Sequence, residues 1–362
     1  MNRNQMDIMA CAAPDTVLEG AKTPGWMKRM RESHIRGFFV TAYDVSEEID
    51  PEKLSEVKRI LGEEGFEVFG IGLPVGHPAG LDTPRYTFHE GWHIRRDIEG
   101  RETPWQNAVT PRLIEDARKR VLILKEIGFP AMFWDDDLRM GNHEGDVQGC
   151  FCEACLEDFR ESRPELAPRI GSREDLRPVL KKDPRGLSEE ALTLREAWMD
   201  FTSSRVTAFM RETAVEGVKN GIMVMHNGDR RHGIDIPAIR KAVPDCLFRV
   251  GELMFDDKSF EKPENRRSLA ESVLRHMALM GDPDRIWSES TVYPHGALSP
   301  ENLRRKIVLE RKCGLFHINL MGVERMNSPA YYKMLRESYG EFLETGPSLT
   351  LENLDRFDFG AL

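Results

Sequence analysis

Three consecutive aspartates, Asp135, Asp136 and Asp137, stand directly after a short apolar segment, and Arg139 follows two residues later. Adjacent carboxylates repel one another, so their ionisation must be offset by a cation, a metal ion, hydrogen bonds or a raised pKa. An aspartate whose pKa is raised is a usable general acid near neutral pH. The alternative is a solvated acidic turn that Arg139 caps. We favour catalysis and treat all three aspartates as candidate catalytic residues.

Glu289 lies in a second apolar segment, residues 285–289, where a buried carboxylate needs a partner or a purpose. Two carboxylates that flank one scissile bond are the arrangement that glycoside hydrolysis requires. Glu289 and one of the three aspartates therefore form a candidate catalytic pair. The alternative is a structural ion pair between Glu289 and Arg249, which lies in another apolar segment.

Further polar and aromatic side chains lie in or just after the apolar segments, and together they suit the recognition of sugar hydroxyls. The candidate substrate-binding residues are Tyr43, Asp44, His77, Trp134, Arg139, His226, Asn227, Arg249, Glu252, Trp287, His317 and Asn319. Each polar group has an alternative role as a satisfied core group, and a tryptophan is more often core than a stacking face. Glu252 is also an alternative catalytic acid, in a mechanism where one of the three aspartates is the nucleophile.

Cys150, Cys152 and Cys155 form the most specific local pattern in the sequence. Three thiolates at this spacing suit a tetrahedral zinc ion, which would be structural and would pin the surrounding loop. The alternative is three free thiols. The fourth ligand is open, and the candidates are Cys11, His77, His89, His93 and His143. The other cysteines lie in or beside apolar segments, so the set does not indicate a disulfide framework.

Eight short apolar segments, bounded by glycine, proline or charge, predict strands that are buried on both faces. They are residues 7–13, 37–43, 67–73, 131–135, 222–226, 247–252, 285–289 and 315–320. Helices between them have start and stop signals, such as Thr110-Pro111 before and Gly128 after. Strands alternating with helices pair in parallel through right-handed crossovers, and eight strands close a barrel.

The sequence therefore predicts one (β/α)₈ TIM barrel over residues 1–362, with long insertions at about 77–109 and 141–187. A doubly wound open sheet is the alternative, but no glycine-rich phosphate or dinucleotide fingerprint supports it. The aspartates end strand four and Glu289 ends strand seven. Both positions lie on the face where such barrels hold their active sites.

Composition excludes several classes of partner. The net charge is −10, with 51 basic and 61 acidic residues, so a nucleic-acid backbone is not an expected partner. No segment approaches the apolar length needed to cross a bilayer, and the N-terminal apolar run is too short for a signal peptide. We expect a cytoplasmic protein that binds no membrane and acts on a carbohydrate. The oligomeric state is open, and a homo-oligomer is compatible with the sequence.

The strand that ends in Asp135-Asp136-Asp137-Leu138-Arg139, the Gly-Cys-x-Cys-x-x-Cys segment and a helix with Phe159 resemble barrel glycoside hydrolases, distantly like the family 42 β-galactosidases. In that family the cysteine segment helps to bind a structural zinc. The resemblance implies that a strand-four aspartate is the acid/base and that Glu289 is the nucleophile. This chain departs from the family by having three aspartates where an Asn-Glu pair stands, by lacking a fourth cysteine within residues 105–111, and by ending soon after its eighth unit.

Three hypotheses follow. The first is a glycoside hydrolase that uses Glu289 and a strand-four aspartate, and the leading mechanism requires no cofactor. The second is a metal-dependent sugar isomerase, aldolase or lyase, in which the aspartates with His226, Glu252 or His317 hold Mg²⁺ or Mn²⁺. The third is a barrel that binds carbohydrate without catalysis.

Overall fold

The computed structural model describes residues 6–44, 50–75, 91–135, 138, 147, 149–180, 183–224, 230–250, 256–291, 298–321 and 329–362. The strands in these ranges are β1 (Asp7–Ala12), β2 (Ile35–Asp44), β3 (Glu67–Leu73), β4 (Ile94–Arg96), β5 (Glu102–Asn107), β6 (Ala131–Trp134), β7 (Lys219–Val224), β8 (Leu247–Val250), β9 (Ile286–Thr291) and β10 (His317–Met321). Eight of them close a barrel in the order β1, β2, β3, β6, β7, β8, β9, β10, and β10 pairs with β1. Every pairing in the barrel is parallel, which confirms the predicted (β/α)₈ fold.

The helices surround the barrel, and none in the described ranges combines the length and apolar character that crossing a membrane requires. They are α1 (Pro14–Lys22), α2 (Trp26–Glu32), α3 (Pro51–Glu63), α4 (Pro111–Ile127), α5 (Glu153–Ser162), α6 (Arg173–Leu176), α7 (Glu189–Glu212), α8 (Ile236–Ala242), α9 (Asp257–Phe260), α10 (Pro263–Met280), α11 (Pro300–Lys312) and α12 (Pro329–Glu344).

Helix α4 shows why these segments are helical. The Thr110 hydroxyl accepts a hydrogen bond from the backbone N–H of Leu113, and Pro111 supplies the preset φ of the first turn. Gly128 ends the helix at φ 91°, a left-handed conformation that favours glycine. The apolar face of α4 is buried against the barrel, as its spacing predicts.

Side chains alternate along each barrel strand, so the barrel has an inner and an outer core. The inner core includes Met9, Phe39, Ile71, Phe133 and Trp287. The outer core, between strands and helices, includes Ile8, Phe38, Met132, Trp134 and Ile318. This alternation decides which of two neighbouring strand residues can reach a site inside the barrel.

Several of the predicted strand bounds shift in the structure. Strand β7 begins at Lys219 rather than at residue 222, and β10 begins at His317 rather than at residue 315. The predicted end of the sixth barrel strand at residue 252 lies outside the described residues. The β4–β5 hairpin follows β3, and helices α5 and α6 follow β6. The two insertions stay a prediction as a whole, because residues 76–90 and 139–146 lie outside the described ranges.

Candidate active site

Asp135 lies at the carboxyl end of the fourth barrel strand. Its backbone N–H donates to the Gly72 carbonyl at 2.8 Å, which extends the pairing of β6 with β3, and its own carbonyl accepts from Leu138 at 3.0 Å, which begins a turn. Because side chains alternate, Asp135 points to the same side as Phe133, into the barrel. Asp136 and Asp137 lie outside the described residues, so their catalytic roles stay predictions.

Arg249 of β8 joins Asp135 to Glu289. Its Nη2 atom donates a hydrogen bond to Asp135 Oδ1 and lies 3.9 Å from Glu289 Oε2. A hydrogen bond of ordinary length and this 3.9 Å contact share one nitrogen, so the two carboxylate oxygens lie within about 7 Å of each other. The side chains are 1% (Arg249), 12% (Asp135) and 6% (Glu289) exposed. We call these three residues the upper cluster.

Glu289 has polar neighbours on both faces of its strand. Asn319 is its partner in the register of β9 with β10, and the Asn319 side chain is fully buried. Among the described residues, neither amide atom of Asn319 has a hydrogen-bond partner. Buried amides are nearly always satisfied, so Asn319 is an exception beside Glu289, and its role in substrate binding stays a prediction. On the other face, Lys306 Nζ donates to the Glu289 carbonyl at 2.7 Å.

Trp134 does not face the site, which corrects the prediction that it binds substrate. It is fully buried in the outer core, where its Nε1 donates to Asn220 Oδ1 at 2.7 Å. Its ring contacts Phe209 of α7 edge-on, with ring centroids 4.9 Å apart. The physical reason is the strand alternation, which sends Phe133 and Asp135 inward and Trp134 outward.

Trp287 lies inside the barrel, but its faces are occupied by other rings. It packs on Phe39, Phe69 and His317, with ring centroids 5.6, 6.1 and 4.5 Å away. It is two residues before Glu289 on the same side of β9. Trp287 therefore forms the floor beneath the carboxylates rather than an open stacking face.

His317 lies at the opposite end of the barrel from the upper cluster, which corrects its predicted role as a substrate ligand. It is the first residue of β10, and its Nδ1 lies 2.9 Å from Oδ2 of Asp7, the first residue of β1. Arg36 contacts Asp7 and also donates to Glu67 at 2.7 Å. We call these four residues, at the amino ends of the strands, the lower cluster.

The remaining predicted site residues are not tested by the described structure. Tyr43 and Asp44 end β2 at the carboxyl face, and their side chains lie outside the described part of the chain. Four further substrate-binding candidates and the alternative acid also fall outside it. They are His77, Arg139, His226, Asn227 and Glu252.

The three cysteines form a cluster that a metal ion could occupy. Their sulfur atoms lie within 4.8 Å of one another, around the start of α5. A tetrahedral zinc with Zn–S bonds of 2.3 Å places its sulfurs about 3.8 Å apart, a separation that this limit allows. Hydrogen bonds from Cys150 and then Cys155 lower the pKa of the Cys152 thiol, which favours a thiolate in the cluster.

His93 is the fourth-ligand candidate that the structure brings to this cluster. Its side chain hydrogen-bonds Cys152, and both residues line a surface cavity of about 320 Å³ between the β4–β5 hairpin and α5. Cys11 lies in the inner core of the barrel instead, so it is not the fourth ligand. His77, His89 and His143 lie outside the described residues.

Two residues near Glu289, Lys306 and Glu310, were not anticipated as part of a site. Both belong to α11 and both are buried behind β9. The available signal was their spacing of four residues, continued from Asn302, which places three polar side chains on one helix face.

No protein-family model and no curated protein matches the sequence. Solved structures do match. The cold-adapted β-galactosidase from Rahnella sp. R3 superposes with a TM-score of 0.64 at 13% identity, over 95% of this chain and 57% of that chain. A GH42 β-galactosidase from G. stearothermophilus gives 0.62 at 14% identity, over 94% and 58%. The PgaB (BpsB) glycoside hydrolase domain from Bordetella bronchiseptica gives 0.55 at 12% identity, over 96% and 99%.

These likenesses concern the fold. The chain spans little more than half the length of the two β-galactosidases and nearly all of the PgaB domain. Identity near 13% shows the fold alone, because one barrel supports many unrelated reactions. The predicted resemblance to barrel glycoside hydrolases is therefore confirmed at the level of the fold.

Proposed function

We propose that the chain is a glycoside hydrolase in which Glu289 is the nucleophile and a strand-four aspartate is the acid/base. The observation that carries the proposal is the upper cluster. Two buried carboxylates at the carboxyl ends of the fourth and seventh barrel strands share the Nη2 atom of Arg249. The upper limit of about 7 Å between their oxygens puts the end of the fourth strand, which carries all three aspartates, beside Glu289.

Arg249 separates the roles of the aspartates. A guanidinium in direct contact favours the ionised form of a carboxylate, so Asp135 is poorly suited to carry the proton that the leaving oxygen needs. We therefore assign the proton donor to Asp136 or Asp137 and give Asp135 the role of holding Arg249 beside Glu289. Glu289, also near Arg249, is kept as the anion that a nucleophile must be.

A panel of nitrophenyl glycosides tests this function. The wild type should hydrolyse at least one sugar, and Glu289→Gln should not. Asp135→Asn, Asp136→Asn and Asp137→Asn are then compared on a dinitrophenyl and an alkyl glycoside of that sugar. Loss of the proton donor should hardly change kcat/KM for the activated substrate and should lower kcat/KM for the alkyl glycoside about 100-fold or more. Asp135→Asn should slow both equally.

The outcomes separate the rival functions. A chelator that abolishes activity, with recovery on adding Mg²⁺ or Mn²⁺, would favour the metal-dependent reaction. Carbohydrate binding without turnover across the panel would favour the non-catalytic barrel. Glu289→Gln with wild-type turnover would reject the nucleophile.

We further propose that the cysteine cluster binds a structural zinc with His93 as the fourth ligand. A Cys₃His set is a common structural zinc site. The ion would join the β4–β5 hairpin to the start of α5 and so tie together the segments that follow the third and fourth barrel strands.

Metal analysis of the purified protein tests the zinc site. We expect one zinc per chain, and none in Cys152→Ser. In cobalt-substituted protein, His93→Ala should lower the affinity and alter the visible ligand-field bands. Cobalt spectra that are identical in wild type and His93→Ala would show that His93 is not a ligand.

A further inference from the structure

Helix α11 turns a polar stripe toward the barrel. Asn302, Lys306 and Glu310 recur every four residues, so they share one helix face, and all three are buried. A helix that packs on a barrel normally buries an apolar face there. Asn302 is explained by its hydrogen bond to Asp257 Oδ1 at 2.8 Å. The burial of Lys306 and Glu310 needs another explanation.

Both residues contact the strand that carries Glu289. Lys306 Nζ donates to the Glu289 carbonyl at 2.7 Å and lies 4.0 Å from Glu310 Oε1. The Ser288 hydroxyl donates to Glu310 Oε2 at 3.0 Å. The pair therefore holds two consecutive residues of β9 from behind, on the face opposite to the Glu289 side chain.

Stability alone does not explain why a lysine and a glutamate are fully buried behind β9. Burial lowers the pKa of Lys306, although Glu310 and Glu289 oppose that shift, and burial raises the pKa of Glu310. Each side chain is therefore buried although its charged form is more stable in water. Buried ion pairs can usually be replaced by apolar residues of similar volume at little or no net loss of stability. Their position behind Glu289 is the feature that distinguishes this pair.

We propose that Lys306, held by Glu310, is a positioning residue for Glu289. The ammonium group fixes the Glu289 carbonyl, and thereby the direction in which the carboxylate enters the barrel beside Arg249. The inference rests on the proposed function, because positioning matters for turnover only if Glu289 reacts. Lys306 lies behind the strand, so it acts through Glu289 and not on the substrate.

The double variant Lys306→Met/Glu310→Leu tests this role, because it removes both charges together and leaves neither group buried alone. We expect its thermal stability to stay within a few degrees of wild type. We expect kcat to fall about 100-fold with KM changed less than about threefold, as for a misplaced reacting group. A double variant with wild-type kcat overturns the inference.

Arg266→Met is the matched control. Arg266 is a buried cation on α10 that donates to the backbone carbonyls of Phe359 and Phe260 at 2.8 and 3.2 Å. Losing these bonds should lower stability and leave kcat unchanged. If the double variant does not fold, Glu310→Gln is measured instead, with kcat expected to fall about 10-fold at unchanged KM. Unchanged kcat in that variant would equally overturn the inference.

Glu289→Gln, measured alongside, separates this inference from the proposed function. If Glu289→Gln is inactive and the double variant is fully active, the function stands and the positioning role fails. If Glu289→Gln matches wild type, or nothing is turned over, the proposed function fails. A crystal structure of the double variant then decides the geometry. A Glu289 carbonyl and carboxylate in unchanged positions would overturn the inference.

Discussion

The two ends of the barrel interior carry similar groups in different surroundings. In the lower cluster Asp7 and His317 are as buried as the upper carboxylates, but their partners Arg36 and Glu67 are 39% and 43% exposed. The upper cluster is buried throughout, and its guanidinium is shared by two carboxylates. Ion pairs that keep contact with water contribute little and cost little. Charges removed from water are costly unless they are well paired, and they act strongly on one another.

This difference separates the end where the barrel closes from the end where the reaction is proposed to occur. The lower cluster ties the first residues of β1 and β10 together, where the barrel closes. Substitutions of its exposed side chains should cost little stability, because water solvates the partners that remain. The upper cluster lies at the carboxyl ends of the strands, where barrel enzymes place their reactions. Burying charges at that end reduces the free energy of unfolding. Such an arrangement is expected when the charges are needed for a reaction rather than for folding. Three substitutions, two of them with a control in the lower cluster, and a pH series test the contrast, from the largest expected effect to the smallest.

Arg249→Met should be the most disruptive change. It leaves Asp135 and Glu289 buried close together without their shared cation, which should reduce the free energy of unfolding by about 3–5 kcal/mol. Chemical denaturation measures this loss. Arg36→Met, the matched change in the lower cluster, should reduce it by no more than about 1 kcal/mol because Arg36 is partly exposed. Equal losses at the two ends would break the comparison.

Glu289→Gln should abolish turnover while leaving the fold intact. The amide keeps the shape of the side chain but cannot act as a nucleophile, so kcat should fall about 1000-fold or more. Stability should change little, because a neutral group is easier to bury than a carboxylate. Steady-state kinetics and thermal melting measure the two effects. Glu67→Gln in the lower cluster is the control and should keep wild-type kinetics.

Asp7→Asn should show the opposite pattern. Removing its charge weakens the contacts with Arg36 and His317, so the free energy of unfolding should fall by about 1–2 kcal/mol. Activity should stay within about twofold of wild type, since the lower cluster lies at the far end from the proposed reaction. A large loss of kcat without loss of stability would contradict the separation of the two ends.

The pH dependence of stability gives the smallest effect. Burial opposes ionisation of Asp7, but hydrogen bonds from His317 and Arg36 outweigh it and lower its pKa below 3.8. The unfolded chain therefore takes up the proton first as the pH falls. The stability that Asp7 contributes is fully present above the unfolded pKa of about 3.9, and is lost as the pH drops through the lower folded value.

Urea denaturation of wild type and Asp7→Asn at several pH values measures that effect. The difference between the two proteins should be constant from neutral pH to about pH 5 and should shrink below about pH 4. A difference at pH 3 as large as at pH 7 would show that these contacts do not lower the pKa of Asp7 in the folded protein.

The barrel could be predicted from the sequence because each strand is a short apolar run between breakers. The same property hides which side chains face inward. Phe133 and Trp134 are both apolar and both buried, so the sequence did not show that Trp134 points to the helices. His317 was placed at a strand end because the run begins at Leu315, whereas pairing begins two residues later.

The contacts of the candidate site depend on the packed barrel. Glu289 and Arg249 were paired only as an alternative to catalysis, and Arg249 meets Asp135 across 114 residues of sequence. No local sequence pattern indicates a contact between residues so far apart in the chain. The polar stripe on α11 was visible as a spacing of four, but only the barrel shows that it faces β9 rather than solvent.

Covalent trapping tests the central claim most directly. The sugar identified by the glycoside panel is supplied as its 2-deoxy-2-fluoro derivative with an activated leaving group, which slows release of a glycosyl-enzyme intermediate. Peptide mapping by mass spectrometry then locates the label. We predict one sugar per chain, attached to Glu289. A label on another residue, or turnover with inverted product and no label, would contradict the account.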